Sequence, residues 1–118
     1  MRKKNFPKPE KPTKADVEQF DMLHPVLESI YLEFKELSKK KQDGLLNKLK
    51  VKITNKILSK VKTILKDDPI IEFLDLLDEE SLPTNSDAVL IIAQFKVAME
   101  HFKDTHSGFS ITGWDTSD

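Results

Sequence analysis

The strongest constraint on the fold is the helical spacing of the apolar residues between positions 20 and 37. At about 100° per residue, one broad face collects Phe20, Leu23, Val26, Leu27, Ile30, Tyr31, Phe34 and Leu37. Thr13 is suited to cap the start of this amphipathic helix. Pro25 lies inside the pattern, where proline removes a backbone hydrogen bond. The stretch is therefore one kinked helix or two helices, over 14–22 and 25–40, and we favour the kinked helix.

A second apolar pattern covers residues 45–66. From Ile53 onward the spacing is helical, whereas residues 49–54 also alternate as a strand would. No other segment offers such a strand a partner, and an unpaired strand leaves its backbone groups unsatisfied. The sequence therefore predicts one helix over 45–66. Gly44 is predicted to end the preceding helix in a left-handed conformation.

Two more helices are predicted in the second half of the chain. Asp68 and Pro69 form a typical helix start, which predicts a short helix over 69–78. A cap within residues 84–86 begins a last long helix whose tight apolar stripe is Ala88, Ile91, Ile92, Phe95, Ala98, Met99 and Phe102. Leu90 and Val97 lie nearly opposite this stripe. A helix that is apolar on two sides is central in a bundle or pairs with another chain.

These patterns predict the fold class and the organisation of the chain. The chain has only three glycines, which does not suit folds with many tight hairpins. We expect an all-α, four-helix bundle-like single domain over 13–106. A proline-rich basic arm, predicted to be disordered, covers 1–12, and an irregular tail covers 107–118.

Charge is sorted along the chain. Residues 1–66 contain 17 of the 19 Lys and Arg residues and 8 acidic residues, whereas residues 67–118 contain 2 basic and 12 acidic residues. The formal net charge of −1 conceals this division. Such asymmetry can mark a nucleic-acid-binding or membrane-binding surface, and it arises equally when two halves of one small fold complement each other.

Composition excludes several classes of protein. The chain has no cysteine, which rules out disulfides, thiolate metal sites and a cysteine nucleophile. Its first residues lack the apolar stretch of a signal peptide, and the nearly uncharged run 88–95 is too short to span a bilayer. We expect a soluble cytoplasmic protein with no membrane contact.

Lysines dominate the helix predicted over 45–66. Lys48, Lys52, Lys56 and Lys60 are candidates for binding a nucleic acid or another polyanion. No arginine or aromatic residue accompanies them, so neither readout of base edges nor stacking on single strands is indicated. The alternative is a solvated helix face that the acidic half of the molecule partly neutralises.

Groups that could support catalysis or metal binding are few. His101 and Asp104 are one helical turn apart, but zinc sites need three or four ligands and His24 is distant in sequence. The acidic residues in 72–80 lack the glycine and the ligand spacing of a calcium loop. We expect no metal, no cofactor, no small-molecule substrate and no catalysis.

Large apolar residues outside the predicted core suggest contact with a partner. Leu90 and Val97 form the second face of the last helix, and Phe109 and Trp114 lie in the tail. The tail residues either dock on a partner, as aromatic anchors do, or fold back on the bundle. The favoured function is a non-catalytic interaction or regulatory module that self-associates or joins a larger assembly, with non-specific polyanion binding as the alternative.

Overall fold

Three α-helices form most of the part of the chain that the structure, a computed structural model, describes, which is residues 11–108, 110 and 112–118. They are α1, Lys14–Lys40; α2, Lys48–Ile64; and α3, Asn85–His106. A short 3₁₀ helix, Pro69–Phe73, lies between α2 and α3. Within these residues, extended pairing is limited to two isolated β-bridges. The all-α class is therefore confirmed.

Helix α1 is continuous through Pro25. It begins at a capping box in which the Thr13 hydroxyl accepts from the Asp16 backbone and the Asp16 carboxylate accepts from the Thr13 backbone, both at 3.1 Å. Pro25 is exposed, so water can reach the carbonyl that its missing N–H leaves without a partner. The two-helix alternative is thus excluded, whereas the kink stays a prediction.

The prediction that Gly44 ends α1 in a left-handed conformation is wrong. The last turn closes through the Lys41 N–H, which donates to the Leu37 carbonyl at 2.9 Å, and Gly44 does not take a positive φ. The Gly44 carbonyl instead accepts from the Asn85 N–H at 2.8 Å, and a Cβ on Gly44 would lie 3.1 Å from the Asn85 side-chain nitrogen. The glycine therefore allows the loop after α1 to approach the start of α3 closely.

The helix predicted over 69–78, and with it the four-helix bundle, is not found. The start is as predicted, since the Asp68 carboxylate caps the Ile70 N–H at 3.0 Å. The segment forms five residues of 3₁₀ helix and then becomes extended at Leu74. The buried Asn55 of α2 explains the change, because its amide both accepts from and donates to the backbone of Leu77 at 2.8 Å. These bonds replace the intrahelical bonds that a continuing helix would have made.

The hydrophobic core lies where α1, α2 and α3 meet. Its most deeply buried large side chains are Phe20, Leu27, Val51, Leu58, Val61, Leu65, Leu74, Ile92, Phe95 and Met99. They come from all three helices and from the end of the 3₁₀ helix. Because the core includes Leu74, it holds the irregular segment in place beside α3.

The tail after α3 packs back on the helices. Trp114 is buried and meets the Phe20 ring edge to face, with ring centres 4.9 Å apart, and it also contacts Phe102. The Asp115 N–H donates to the His106 carbonyl at 2.7 Å. The tail is therefore irregular, as predicted, but contributes to the core.

Two residues of the predicted disordered arm have defined contacts. Pro12 is buried, and its carbonyl accepts from the Ser117 N–H at 3.0 Å. The Lys11 ammonium lies 3.3 Å from the Asp115 carboxylate. The arm prediction is thus wrong for residues 11 and 12, which the tail holds, while residues 1–10 lie outside the described part of the chain. None of the described helices is long and apolar enough to cross a membrane.

Candidate functional site

An apolar groove, here named the α3 groove, runs between the 3₁₀ helix and the outer face of α3. Three large side chains on its walls are exposed, namely Phe73 at 73%, Leu90 at 62% and Val97 at 60%. The other lining residues are Ile70, Leu74, Ala93 and Gln94. The groove is open and holds a volume of about 570 Å³. Adjacent exposed side chains of this size are characteristic of binding surfaces.

The register of α3 places two of the predicted partner-binding residues in this groove. Leu90 and Val97 are seven residues apart, so they lie two turns apart on one side of the helix. The opposite side supplies the buried residues Ala88, Ile92, Phe95 and Met99. The structure therefore brings Leu90 and Val97 to one accessible surface, while their role in binding stays a prediction.

Ile70 and Phe73 were not predicted as binding residues, because the sequence placed both within the short helix over 69–78. In a 3₁₀ helix, residues three apart share a face, so Ile70 and Phe73 lie together, and the chain becomes extended at the next residue, Leu74. Leu74 enters the core and Phe73 is left in solvent. In the sequence Phe73 stands between Glu72 and Leu74, within a run of mixed apolar and acidic residues, so its exposure could be predicted only with a period of three.

Exposed carboxylates lie close in sequence to the residues that line the α3 groove. Asp87 lies one turn before Leu90, Glu100 lies one turn after Val97, and Glu72 is adjacent to the exposed Phe73. Asp75, also exposed, follows Leu74. The groove is therefore an apolar surface with a mainly acidic rim, to which the Lys62 ammonium, 3.0 Å from the Leu74 carbonyl, adds a positive charge.

The two lysines of α3 do not neutralise this rim. The Lys96 ammonium lies 3.2 Å from the Glu28 carboxylate and 3.9 Å from the centre of the Tyr31 ring, so it faces α1. The Lys103 ammonium lies 5.9 Å from the centre of the Trp114 ring. Both cations therefore lie on the side of α3 that packs on the rest of the molecule.

The four lysines of the polyanion hypothesis are all exposed on α2. Lys48, Lys52, Lys56 and Lys60 follow one another at intervals of four residues, which places them along one side of the helix. In the described part of the chain, none of their ammonium groups has a carboxylate within ion-pair distance. The lysines thus form an unneutralised basic stripe on a face other than that of the α3 groove.

Of the two tail residues predicted as anchors, Phe109 and Trp114, the structure describes only Trp114. Trp114 is only 4% exposed, so in this conformation it cannot reach a partner, and the alternative in which it folds back on the bundle holds for this residue. Phe109 lies outside the described residues. The physical reason for the burial of Trp114 is the aromatic pocket formed by Phe20 and Phe102.

The candidate acid and base groups do not form a shared site. His101 is exposed and faces Asp68, with 4.0 Å between its Nε2 and the Asp68 carboxylate, whereas Asp104 is exposed one turn further along α3. Among the described residues, no three His, Asp or Glu side chains are arranged to hold a metal ion. Asp78 accepts from the Glu80 and Ser81 N–H groups, which lower its pKa and give it a role in forming the turn.

His106 makes stability depend on pH. Burial against Phe102 lowers the pKa of His106 below its ordinary value of about 6.5, although Asp68 and Asp115 oppose the shift. The unfolded chain therefore binds the proton more tightly, and the contribution of His106 to stability is present above pH 6.5 and is lost as the pH falls through and below that value.

We expect the thermal unfolding midpoint to fall between about pH 7.5 and about pH 5.5. The decrease should be smaller for His106→Gln, whose side chain does not titrate. Ser59→Ala, which replaces an exposed, non-titrating residue of α2, is the matched control and should retain the wild-type decrease. An equal decrease in His106→Gln and wild type would contradict this assignment. Thermal unfolding followed by circular dichroism at a series of pH values measures the midpoints.

Comparison of the chain with protein-family models, with curated proteins and with solved structures gives no match.

Proposed function

We propose that this protein is a non-catalytic helical module that binds another protein chain through the α3 groove. The observation that carries the proposal is the cluster of Phe73, Leu90 and Val97, each at least 60% exposed, which together line the α3 groove. Leaving such side chains in water forgoes hydrophobic stabilisation, and covering them on association recovers it. The module self-associates or serves as a small subunit of an assembly, and it uses no cofactor or metal.

The acidic rim restricts the kind of segment that fits the α3 groove. An apolar segment with neighbouring lysine or arginine residues would meet opposite charge at Asp87 and Glu100, whereas an acidic segment would meet like charge. Grooves of this length, about two helical turns, receive amphipathic helices in known recognition modes. We also propose a cytoplasmic location, with which the lack of cysteine is consistent.

A photo-crosslinking amino acid tests the proposal directly. Placed at Gln94 in the groove, it should form a covalent adduct with a second polypeptide in an extract of the producing cells. Placed at Gln19, which is exposed on α1, it serves as the matched control. Leu90→Asp with Val97→Asp should abolish the Gln94 adduct. Equal adducts from both positions, or a Gln94 adduct that survives the double substitution, would contradict the proposal.

Polyanion binding by α2 is the second candidate function, favoured by the exposure and four-residue spacing of Lys48, Lys52, Lys56 and Lys60. If these lysines contact phosphates, binding to duplex DNA should weaken steeply with salt, with a log–log slope of about −0.9 for each phosphate neutralised. Lys52→Glu with Lys56→Glu should reduce the slope by about two. Fluorescence anisotropy measures this, and a lack of binding to DNA and RNA at about 0.05 M salt would eliminate the candidate.

A further inference from the structure

A second exposed apolar surface lies on α2, far in sequence from the α3 groove. Leu49 is 67% exposed and Ile53, one helical turn further along α2, is 54% exposed. Lys48, Lys52 and Lys56 alternate with them along the chain and are exposed as well. We name this surface, Lys48 to Lys56, the α2 stripe. Its buried counterpart on the same helix consists of Val51, Leu58 and Val61, so the exposed apolar residues are additional to those that the core requires.

The α2 stripe and the α3 groove complement each other in shape and charge. Leu49 and Ile53 are about 6 Å apart along the helix axis, which fits within the roughly 10 Å that separates Leu90 from Val97. The stripe carries lysines beside its apolar residues, and the groove carries carboxylates beside its own. A helix that lies in the groove would thus bury apolar side chains and place lysines against the rim.

Like charge disfavours the symmetric arrangements. Two α3 grooves facing each other would bring together carboxylates such as Glu72, Asp87 and Glu100, and two α2 stripes would bring together lysines. Within one chain, both surfaces are exposed, so they do not cover each other. The pairing that covers both apolar surfaces and opposes unlike charges therefore joins the α3 groove of one molecule to the α2 stripe of another.

We infer that the occupant of the α3 groove is the α2 stripe of a second copy of this chain. This inference rests on the proposed function of the groove and names its partner. The interface is heterologous, because each copy offers a groove to one neighbour and a stripe to another. Copies therefore associate head to tail, forming a ring where the rotation closes and an open chain where it does not. The sorting of lysine and acid along the sequence is the charge pattern that such an assembly uses.

Complementary variants test the head-to-tail geometry. Leu90→Asp with Val97→Asp removes the groove and leaves the stripe, whereas Leu49→Asp with Ile53→Asp removes the stripe and leaves the groove. All four residues are exposed, so the helices should persist, and circular dichroism checks this. If an aspartate variant loses helix content, the same positions are substituted with glutamine instead. The matched control is Met22→Asp with Leu32→Asp, because both of these residues are exposed on α1.

Sedimentation velocity at about 0.05 M salt, where charges are weakly screened, measures the association state of each variant. The mass of wild type and control should rise with concentration, and each double variant alone should associate about 100-fold more weakly. An equimolar mixture of the two variants should form a 1:1 dimer that does not grow, because one intact groove meets one intact stripe. Raising the salt to about 0.5 M should weaken this dimer about tenfold.

Three outcomes would overturn the inference. If wild type associates but the mixed variants stay monomeric, the interface does not join stripe to groove. If wild type stays monomeric while a crosslinker at Gln94 captures a different protein in a Leu90- and Val97-dependent manner, the proposed function holds and the second copy is not the occupant. A monomeric wild type without any Gln94 adduct would contradict both.

Discussion

Replacing Asn55 by alanine should destabilise the protein by about 3 kcal/mol. The Asn55 amide makes two hydrogen bonds of 2.8 Å to the N–H and the carbonyl of Leu77, in a buried position. Without them, both backbone groups lack partners, and each unsatisfied buried group costs about 1–3 kcal/mol. Denaturant unfolding followed by circular dichroism measures the change.

A matched substitution separates this effect from a general effect on α2. Ser59 is exposed one turn after Asn55, and Ser59→Ala should change stability by less than about 0.5 kcal/mol. Asn55→Asp retains the acceptor but not the donor, so it should also destabilise at neutral pH. A loss below about 0.5 kcal/mol for Asn55→Ala would show that Asn55 does not hold the extended segment.

Trp114→Ala should destabilise the protein by about 3–5 kcal/mol, a large part of the 5–15 kcal/mol typical of a domain. The indole ring packs on Phe20 and Phe102, and its loss leaves a cavity where the tail meets α1 and α3. This effect would establish that the tail belongs to the folded domain.

Phe73→Ala is the control for this prediction. Phe73 is 73% exposed, so removing its ring should change the stability of the free monomer by less than about 0.5 kcal/mol while weakening association through the α3 groove. Similar losses of stability for the two variants would contradict the assignment of Trp114 to the core and Phe73 to the surface.

Local signals in the sequence were sufficient to predict the three α-helices. Thr13 and the Thr84 cap, which accepts from the Asp87 N–H at 3.0 Å, lie where the patterns predict helix starts. The strand-like alternation in 49–54 was correctly rejected, because no partner strand was available and the surrounding spacing was helical. These features depend on residues within about one turn of each other.

The segment after Pro69 could not be predicted in the same way. Its starting signals at Asp68 and Pro69 are genuine, but the end of the 3₁₀ helix is determined by Asn55, which is 22 residues from Leu77 in sequence. Lys62 adds a second distant contact, donating to the Leu74 carbonyl at 3.0 Å. Local propensity contains no information about such tertiary hydrogen bonds.

The candidate site was predicted only in part for the same reason. The phase of α3 was sufficient to place Leu90 and Val97 opposite the core. Phe73 joins them because the 3₁₀ helix directs it outward, and Trp114 leaves the surface because Phe20 and Phe102 provide a pocket. Both positions depend on contacts between segments that are distant in sequence.

Methyl NMR at low salt tests directly whether the α3 groove binds the α2 stripe of another copy. Between about 10 µM and about 500 µM protein, mass action should fill the groove. The methyl resonances of Leu90, Val97, Leu49 and Ile53 should then shift together, while that of Met22 stays constant. If the resonances of Leu90 and Val97 stay fixed across this range, or move no more than that of Met22, the α3 groove does not bind a second copy.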